Sequence, residues 1–359
     1  MKKVGIVLVN YKDYVNRYLA ECQTSIEGQT YDSQFVNVYI VDNATSQESR
    51  LFISKAYPTA KILPRYDGNY AAANNVGIKQ ALLDDCEYVV IANMDTKFGK
   101  DWLNELVKAA ENDSQIGVVQ SKIFLYPETE AEWKQPKINS VGNKLHYLGF
   151  GFTDGYGEVD RPNDSGITVK EIPGYASGCS FLIKKQVLEK IIGYDEELYM
   201  YHDDIDVSLK VRLAGYKIVL ATKSIVYHKY EFSRSVRMFY FMERNRYLIM
   251  LIYYKWLTLL LLFPIMLVMD LGLLFFSVLN NTFYSKLKIY FYFLRPKTWK
   301  YIFERRKQVH KKRALSDGEL FAKLVGRLDF MEINNPLLKW VGNPITDLYF
   351  KFMKFIIIW

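Results

Sequence analysis

The sequence has few cysteines and lacks the glycine-rich loops of the commonest nucleotide-binding enzymes. Only Cys22, Cys86 and Cys179 occur among 359 residues, and their odd number and wide spacing argue against a disulfide framework or a cysteine-based zinc site. Neither G-x-G-x-x-G nor a Walker loop is present, so dinucleotide oxidoreductases and P-loop NTPases lose their main support. The cysteine pattern indicates a reducing compartment, with the cytosol as the default.

Charge is unevenly distributed along the chain. Residues 229–359 contain 22 Lys and Arg against 9 Asp and Glu, a net +13, which leaves 25 against 30, or −5, for the remainder. With the length, this predicts two regions, 1–230 and 231–359, the second a basic, aromatic-rich, helical, membrane-associating region. Its long apolar run favours anionic lipid as the partner, and the absence of any nucleic-acid module argues against nucleic acid.

The first region alternates strand-like runs with helical patterns. Strands are predicted at 4–9, 36–41, 60–63 and 88–92, and helices at 14–26, 46–56 and 71–83. This alternation is typical of an α/β domain with a mainly parallel sheet, in which ligands bind beyond the carboxyl ends of the strands. The polar residues that follow these strands are therefore candidate ligand contacts: Asn10, Tyr11, Asp42, Asn43, Asp67, Asn69, Asn93 and Asp95.

The segment 67–77 combines glycine, asparagines and small residues at the start of a helix. Small side chains let a ligand approach the backbone, and free N–H groups at a helix start suit a phosphate. Asn69 and Asn75 are the candidate nucleotide-sugar contacts here. An ordinary capped helix start is the alternative.

Three carboxylates fall within four residues at Asp203, Asp204 and Asp206, just before a stretch with helical periodicity. Neighbouring carboxylates raise one another's pKa, so such a cluster persists where a cation, a basic partner or catalysis requires it. The alternative is an acidic first turn that caps free N–H groups and complements the helix dipole.

Taken in order, these motifs resemble a family 2 glycosyltransferase of the GT-A fold, in the branch that contains bacterial rhamnosyl- and galactofuranosyltransferases. The resemblance covers about residues 4–230. It rests on seven motifs in the right order: Val9-Asn10-Tyr11, Val41-Asp42-Asn43-Ala44, Gly68-Asn69 to Gly77, Asn93-Met94-Asp95, Gly193-Tyr194-Asp195-Glu196, Asp203-Asp204-Ile205-Asp206 and His228.

The resemblance implies a nucleotide-diphosphate sugar donor, linked to dTDP or UDP. Asp42 would accept hydrogen bonds from the base, with Asn10 and Tyr11 flanking the ring. Asn93 would contact the ribose. Rhamnose is the sugar that the branch suggests.

The resemblance also implies a divalent cation, Mg²⁺ or Mn²⁺, that offsets the charge of the leaving diphosphate. Asp95 would be its main carboxylate ligand, because Asn93 stands where the family's D-x-D-like motif has its first carboxylate. His228 matches the position that completes the coordination in family members. The alternative is an ordinary surface or capping histidine.

Asp204 is the expected general base, with Asp203 its close second and Asp206 a more structural neighbour. A carboxylate within reach of the acceptor hydroxyl removes its proton during attack on the anomeric carbon, which gives single displacement with inversion. The dipole at the helix start is expected to help keep Asp204 ionised.

Residues 256–279 form a nearly continuous apolar run, interrupted by Pro264 and Asp270, with basic residues on both flanks. A single crossing would place one basic flank on the wrong side, so a re-entrant hairpin or interfacial helices are favoured over one span, with a buried core helix third. This predicts attachment to the cytoplasmic face of the membrane. A lipid-linked or polysaccharide acceptor would be held by basic residues: Arg234, Arg237, Arg244 and Arg246.

Two alternatives to a transferase in cell-surface glycan synthesis stay open from the residues. A sugar-1-phosphate nucleotidyltransferase also uses an α/β fold and a metal, but it carries a Gly-rich basic loop where this chain has Tyr11-Lys12-Asp13-Tyr14. A membrane-bound nucleotide-sugar-binding protein without activity is the other, supported only by Asn93 in the metal motif.

Overall fold

The computed structural model describes residues 1–43, 46–160, 166–231, 238–329 and 336–359. Two compact units make up the chain. The first comprises Met1–Asn143, Thr153–Arg212 and Tyr216–Tyr230, and the second comprises Lys144–Phe152, Leu213–Gly215 and Glu231–Trp359.

The first unit alternates strands and helices. Its strands are β1 Val4–Tyr11, β2 Val36–Asn43, β3 Lys61–Arg65, β4 Tyr88–Ala92, β5 Thr96–Phe98, β6 Ile116–Leu125, β7 Ile138–Ser140, β10 Val169–Glu171, β11 Ser180–Lys184 and β12 Lys217–His228. Its helices are α1 Tyr14–Glu27, α2 Gln47–Ala56, α3 Tyr70–Leu83, α4 Trp102–Glu111, α5 Glu130–Lys134, α6 Lys185–Ile191 and α7 Asp203–Leu213. The predicted strands and helices of residues 4–92 are confirmed, with ends that differ by at most two residues.

The sheet runs in the order β10-β12-β6-β11-β4-β1-β2-β3, with β5 on β12 and β7 on β6. The neighbours β4-β1-β2-β3 are parallel, and β12 is parallel to β6. Between them β11 is antiparallel to both β4 and β6. The fold is thus a GT-A-like α/β fold with a mixed sheet, and the expectation of a mainly parallel sheet holds for only part of it.

Burial on both faces explains the apolar character of the central strands. Along β1, Val4, Ile6, Val7 and Leu8 have no exposed surface, as expected of a strand covered by helices on both sides. Because β11 runs opposite to its neighbours, the residues just before it lie at the same edge as the carboxyl ends of β1, β2, β4 and β12. That edge therefore brings the start of β11 together with the ends of these strands.

The second unit is mainly helical. A two-stranded sheet of β8 Asn143–Leu145 and β9 Gly151–Thr153 begins it. Its helices are α8 Phe239–Tyr253, α9 Trp256–Leu279, α10 Phe283–Phe293, α11 Pro296–Lys311, α12 Asp317–Phe321 and α13 Asn343–Ile356, which a π-helical turn, Leu338–Gly342, precedes.

The long apolar run forms the single continuous helix α9, with Pro264 inside it. In the part of the chain that the structure describes, this helix alone is long and apolar enough to cross a membrane. Its mean hydropathy is 2.5, and only 11% of its most apolar window is buried. Any hairpin turn must lie outside residues 256–279, and whether the helix spans or lies in a membrane stays a prediction.

Asp270 interrupts the apolar run because it joins a polar cluster with α8 and α10. Its carboxylate pairs with Lys286 (2.6 Å) and accepts a hydrogen bond from Tyr290 (2.8 Å), while Lys286 also pairs with Glu243 (2.7 Å). Opposite charges and hydroxyl donors thereby compensate carboxylates that an apolar helix would otherwise bury at high cost.

Candidate active site

The residues predicted to contact the nucleoside of the sugar donor lie at the carboxyl ends of β1 and β2. Both strands pair in parallel register, Asn10 beside Asp42 and Tyr11 beside Asn43. The amide of Asn10 donates to Asp42 Oδ1 (2.6 Å), and its own oxygen accepts from the backbone N–H of Val15 (3.1 Å). Asn10 therefore fixes both the start of α1 and the orientation of the Asp42 carboxylate.

Ser49, on α2, completes the surroundings of Asp42, and sequence reasoning missed it. Its hydroxyl donates to Asp42 Oδ2 (2.7 Å), so each oxygen of this fully buried carboxylate has a protein donor. The contact of Asp42 with the nucleotide base stays a prediction. No signal in the sequence links Ser49 to Asp42 except its place in the first turn of the next helix.

The start of α3 is capped by protein groups. Asn69 accepts from the N–H of Ala72 (3.0 Å), and the N–H of Ala71 donates to the carbonyl of Tyr199 (3.1 Å). The N–H of Ala73 is bonded to the Asn69 carbonyl (2.9 Å). These bonds favour the capped-start alternative over a phosphate cradle, because the donors that a phosphate needs are already used.

Asn69 and Asn75 also hold the segment that leads into the acidic cluster. Asn69 donates to the carbonyl of Glu196 (2.8 Å), and Asn75 exchanges hydrogen bonds with the backbone of Tyr194 (2.8 and 3.1 Å). The structure thus gives both asparagines a positioning role. Their predicted contact with the donor stays a prediction.

The backbone that enters α7 is strained. Tyr199, Tyr201 and His202 all have positive φ, at 67°, 62° and 60°. At Tyr199 this is a γ-turn, closed by a hydrogen bond from the N–H of Met200 to the carbonyl of Leu198 (2.8 Å). Non-glycine residues in this region cost about 1–3 kcal/mol each and concentrate at functional sites.

Asp204 is the partly accessible member of the acidic cluster. Its Oδ2 accepts from the N–H of Gly178 (3.2 Å) and its Oδ1 from that of Ile205 (2.9 Å). Burial nevertheless raises the pKa of Asp204 to about 6. The N–H donors at the helix start oppose this rise, as expected, but desolvation outweighs them,.

Asp203 and Asp206 have different surroundings. Burial, followed by the charge of Asp204, raises the pKa of Asp203 well above its usual range. Asp206 is 1% exposed, pairs with Lys210 (2.6 Å) and accepts from the N–H of Asp195 (3.1 Å). These contacts agree with the structural role predicted for Asp206.

A second group of polar residues follows β4. Asp95 and His228 are brought together by β5 and β12, whose register sets His228 beside Thr96. His228 Nε2 lies 3.4 Å from Asp95 Oδ1, and Nδ1 contacts the Asn139 side-chain oxygen at 2.9 Å. A bond from Nδ1–H to Asn139 would leave the Nε2 lone pair directed at Asp95, as metal-binding histidines require.

These donors fit a divalent cation in part. A carboxylate oxygen and an imidazole nitrogen 3.4 Å apart can bind one ion,. Among the described residues no group of three or more His, Cys, Asp and Glu is arranged to hold a metal. The remaining ligands would have to come from substrate phosphates and water, which is how Mg²⁺ is commonly held.

The electrostatics of His228 are consistent with a place for positive charge. Burial alone would lower the pKa of His228, but the acidic groups beside it, Cys179 and Asp95, raise that pKa to about 10. A proton on the imidazole therefore offsets the Asp95 carboxylate. Metal binding would release this proton, because a ligand nitrogen must be neutral.

The segment before β11 contacts both the acidic cluster and the backbone that leads to Asp95. Gly178 donates to Asp204, and the carbonyl of the next residue, Cys179, accepts from the N–H of Asn93 (2.9 Å). Asp95 and Asp204 thus reach the same edge of the sheet, although 108 positions separate them in the sequence.

Tyr70 lies between these two groups and was not singled out from the sequence. Its hydroxyl donates to the Asn93 side-chain oxygen (3.1 Å). Burial, followed by the charge of Asp203, raises the pKa of Tyr70, and Cys179 and Asp204 contribute. Only its position one residue after the Asn69 cap could have drawn attention to it.

The predicted acceptor arginines have other contacts where the structure describes them. Arg246 is 1% exposed, and its guanidinium pairs with both oxygens of Glu243 (2.7 Å each) and donates to the carbonyl of Leu148 (3.0 Å). Arg244, also buried, donates to the Asn245 side-chain oxygen (2.8 Å). The structure argues against their acceptor role, because buried guanidinium groups bonded to protein groups are not available to a diphosphate.

Arg234 and Arg237, the other two predicted acceptor residues, lie outside the described residues. Their contact with an acceptor stays a prediction.

Comparison with solved structures supports the fold. The chain superposes on the crystal structure of GalNAc-T7 with UDP, GalNAc and Mn2+ with a TM-score of 0.53, over 71% of this chain and 48% of that one, at 14% identity.

Curated relatives match somewhat less than two thirds of the chain. An uncharacterized protein of Sinorhizobium fredii is 26% identical over 64% of this chain and 24% of its own length. The N-acetylglucosaminyl-diphospho-decaprenol L-rhamnosyltransferase of Mycobacterium tuberculosis is 22% identical over 62% of this chain and 75% of its own length. The O-antigen biosynthesis protein RfbC of Myxococcus xanthus is 24% identical over 65% and 18%.

The matched stretch thus spans less than a quarter of the Sinorhizobium and Myxococcus proteins. The family model for glycosyl transferase family 2 matches residues 5–192, more than half of the chain. Together with the mixed α/β sheet and the carboxylates gathered at its edge, this match establishes that the chain belongs to glycosyl transferase family 2 and is a glycosyltransferase.

Proposed function

We propose that this glycosyltransferase moves a sugar, with rhamnose the leading candidate, from a nucleotide-diphosphate donor to a lipid-linked acceptor in cell-surface glycan synthesis. The proposal adds inversion at the anomeric carbon, use of a divalent cation and action at the cytoplasmic face of the membrane. The observation that carries it is the partly accessible Asp204 carboxylate at the same sheet edge as the Asp95–His228 pair.

Family membership argues against a nucleotidyltransferase. The Asp204 carboxylate and the Asp95–His228 pair favour an active enzyme over an inactive nucleotide-sugar-binding protein. Two relatives support the choice of acceptor and sugar. One is named a rhamnosyltransferase of N-acetylglucosaminyl-diphospho-decaprenol, and the other an O-antigen biosynthesis protein.

In the proposed reaction, an acceptor hydroxyl attacks the anomeric carbon as the bond from that carbon to the diphosphate oxygen breaks. The hydroxyl proton passes to Asp204, and the nucleotide diphosphate leaves with the electron pair of the broken bond. One direct displacement inverts the anomeric configuration, and a positioned base contributes about 10²–10⁴-fold. Gly178 holds Asp204 in place for this transfer.

Asp95 and His228 would hold the cation, with Asn139 fixing the imidazole ring. When bound, a divalent cation supplies charge that offsets what develops on the leaving diphosphate. Asp42, Asn10 and Tyr11 would receive the nucleoside at the ends of β1 and β2.

The test is transfer from a panel of nucleotide sugars to a synthetic lipid-linked N-acetylglucosaminyl diphosphate, with Mn²⁺ present. Wild-type protein is expected to use at least one donor, and Asp204→Asn to bind that donor normally while losing about 10³-fold in rate. Asp101→Asn, at the exposed start of α4, is the matched control. Near-normal turnover by Asp204→Asn would remove Asp204 from the role of base, and retention of configuration would overturn the single displacement.

A further inference from the structure

Helix α13 has two apolar faces. The inward face packs inside the second unit, where Phe350 stacks on Tyr147 (centroids 5.1 Å apart) and on Phe321 (6.2 Å). The carbonyl of Thr346, one turn earlier, accepts from the Tyr147 hydroxyl (3.1 Å). These contacts fix the helix and leave its opposite face outward.

The outward face is as apolar as the inward one. Residues 341, 345, 348, 352 and 355 follow one another at spacings of three and four, so they form one stripe along the helix. Leu348 is 72% exposed and Phe355 84%, and the preceding turn adds Trp340 at 73%. An exposed apolar stripe of this length marks an interaction surface.

Lysines border this stripe. Residues 336–359 contain Lys339, Lys351 and Lys354, all exposed, against one acidic residue, Asp347. Lys351 pairs with Asp347 at 2.9 Å, so the helix keeps a net positive charge. An apolar stripe with a basic border is the pattern by which helices bind anionic membrane surfaces in the plane of the headgroups.

Helix α13 also contacts α9, the apolar helix of the same unit. Tyr349 donates to the carbonyl of Leu261, and Trp359, three residues after the end of α13, donates to the hydroxyl of Thr258 (3.0 Å). Helix α9 exposes its own large apolar residues, among them Leu260 (69%) and Phe275 (65%). Two neighbouring helices therefore each present an apolar surface to the outside.

A bilayer fits these observations better than a second copy of the chain. A symmetric contact between two copies would bring the same basic border of each helix together, with like charges opposed. Anionic lipid headgroups instead complement the lysines, and acyl chains accept the aromatic and aliphatic side chains.

We propose that the outward face of α13 is a second membrane-binding element beside α9, which inserts its apolar stripe among the acyl chains while Lys339, Lys351 and Lys354 meet anionic headgroups. The inference deepens the proposed membrane attachment and does not depend on the sugar or the acceptor. Residues 231–359 are predicted from the sequence to associate with a membrane, with 256–279 as their apolar segment, and the structure adds the outward apolar face of α13.

The experiment is flotation of the full chain with vesicles of phosphatidylcholine alone or mixed with phosphatidylglycerol. The double variant Phe352→Asp/Phe355→Asp is expected to bind the mixed vesicles at least about tenfold more weakly, because it removes two large apolar side chains from the stripe. Leu51→Asp/Leu83→Asp, at two exposed leucines of the first unit, is the matched control and is expected to bind like wild type. Lys351→Gln/Lys354→Gln is expected to weaken binding to the mixed vesicles only.

A second measurement reports on the helix directly. The native cysteines are all buried, so Phe355→Cys can be labelled selectively with an environment-sensitive fluorophore, with Leu83→Cys as the control. The label at 355 is expected to move to a nonpolar environment when the mixed vesicles are added, and the label at 83 to show no change.

Wild-type binding by Phe352→Asp/Phe355→Asp, or an unchanged label at 355, would overturn the proposal. The proposal would also be overturned if light scattering showed that the wild type is a dimer and the variant a monomer, while the variant bound the vesicles as well as the wild type. Hydrolysis of the sugar donor in solution distinguishes failure of this membrane proposal from failure of the proposed reaction. A variant that hydrolyses donor like wild type but fails to float supports the membrane role, whereas a wild type that floats but has no donor activity counts against the proposed reaction only.

Discussion

The carboxyl group of Asp204 receives two backbone hydrogen bonds, yet its pKa is raised to about 6. Two N–H donors favour the ionised form, while removal of water disfavours it more strongly. Asp203, with its own raised pKa, stands next to it, so the two carboxyls titrate as a pair. A base with a pKa near the working pH is both ionised and basic enough to accept a proton.

This predicts a pH dependence for the transfer. The base acts only when ionised, so kcat/KM is expected to rise about tenfold per pH unit up to about pH 6 and to level off above it. The measurement is the rate of donor consumption at saturating metal between about pH 5 and pH 8, with donor binding followed in parallel. A flat rate profile together with constant binding would contradict the assignment.

The raised pKa values of Asp203 and Asp204 make stability depend on pH in the opposite direction to activity. Because the pKa values of Asp203 and Asp204 are higher in the folded state than in the unfolded one, the folded state holds protons that the unfolded state has lost. Stability from this pair is therefore present below the unfolded pKa, about 4, and is lost as the pH rises through the folded values. The site is most active where its own carboxyls stabilise the fold least.

Asp206 and Lys210 form a buried ion pair at i and i+4 of α7, both less than 10% exposed. Lys210→Met is expected to lower the free energy of unfolding by about 3–5 kcal/mol, because it leaves a buried carboxylate without its cation. The measurement is chemical denaturation near neutral pH.

The chain offers a matched control for that variant. Lys351 and Asp347 make the same i, i+4 pair on α13, with the lysine 69% exposed. Lys351→Met is expected to change stability by less than about 1 kcal/mol. Equal losses in the two variants would mean that burial does not set the strength of the α7 pair.

Helix α7 holds the segment before β11 through one of its faces. Asp204, Ser208 and Arg212 follow at intervals of four residues, so their side chains lie along the same face. Asp204 accepts from the N–H of Gly178, Ser208 accepts from the N–H of Ala176 (3.1 Å), and Arg212 donates to the carbonyl of Gly174 (3.0 Å). The orientation of the base therefore depends on a helix and an extended segment that fit together.

Ser208→Ala tests this arrangement. Loss of the hydroxyl leaves the buried N–H of Ala176 unsatisfied, which is expected to cost about 1–3 kcal/mol of stability. As a positioning residue, Ser208 is expected to affect kcat about tenfold with little change in the donor KM. Ser208→Thr, which keeps a hydroxyl, should recover part of kcat, and Ser54→Ala on exposed α2 should leave both parameters unchanged. A loss confined to stability would make Ser208 purely structural.

For the chain as an enzyme, the metal proposal predicts loss of transfer on chelation. EDTA is expected to abolish activity and excess Mn²⁺ to restore it. Asp95→Asn and His228→Ala are each expected to weaken Mn²⁺ binding at least about tenfold, measured calorimetrically without substrate and with the nucleotide diphosphate present. Full activity in EDTA, or unchanged Mn²⁺ binding in both variants, would contradict the assignment of these two ligands.

Much of the first unit was predictable because its signals are local. Strands β1 and β4 are continuous apolar runs, and the polar residues that follow them had to lie at one edge once the strands were parallel. Helix α3 was predicted at 71–83, where the structure has Tyr70–Leu83. The antiparallel direction of β11 was not predictable, because a short apolar run such as Phe181-Leu182-Ile183 looks the same in either direction.

The contacts that define the site were less accessible. Ser49 with Asp42, Asn139 with His228, and Gly178 with Asp204 join positions that no periodicity or spacing relates. The structure argues against the acceptor role predicted for Arg246, because its guanidinium is buried against Glu243. The sequence shows the positive charge of this residue but not its pairing.

Composition and residue order alone determined the α/β class, the set of carboxylates and the apolar, basic character of the second unit, because each follows from neighbours along the chain. Only the tertiary structure decided how strongly burial shifts the pKa of Asp204, which asparagines are tied to backbone groups, and that α13 turns a second apolar face outward. These properties depend on which groups exclude water from one another, and that is settled by segments far apart in sequence.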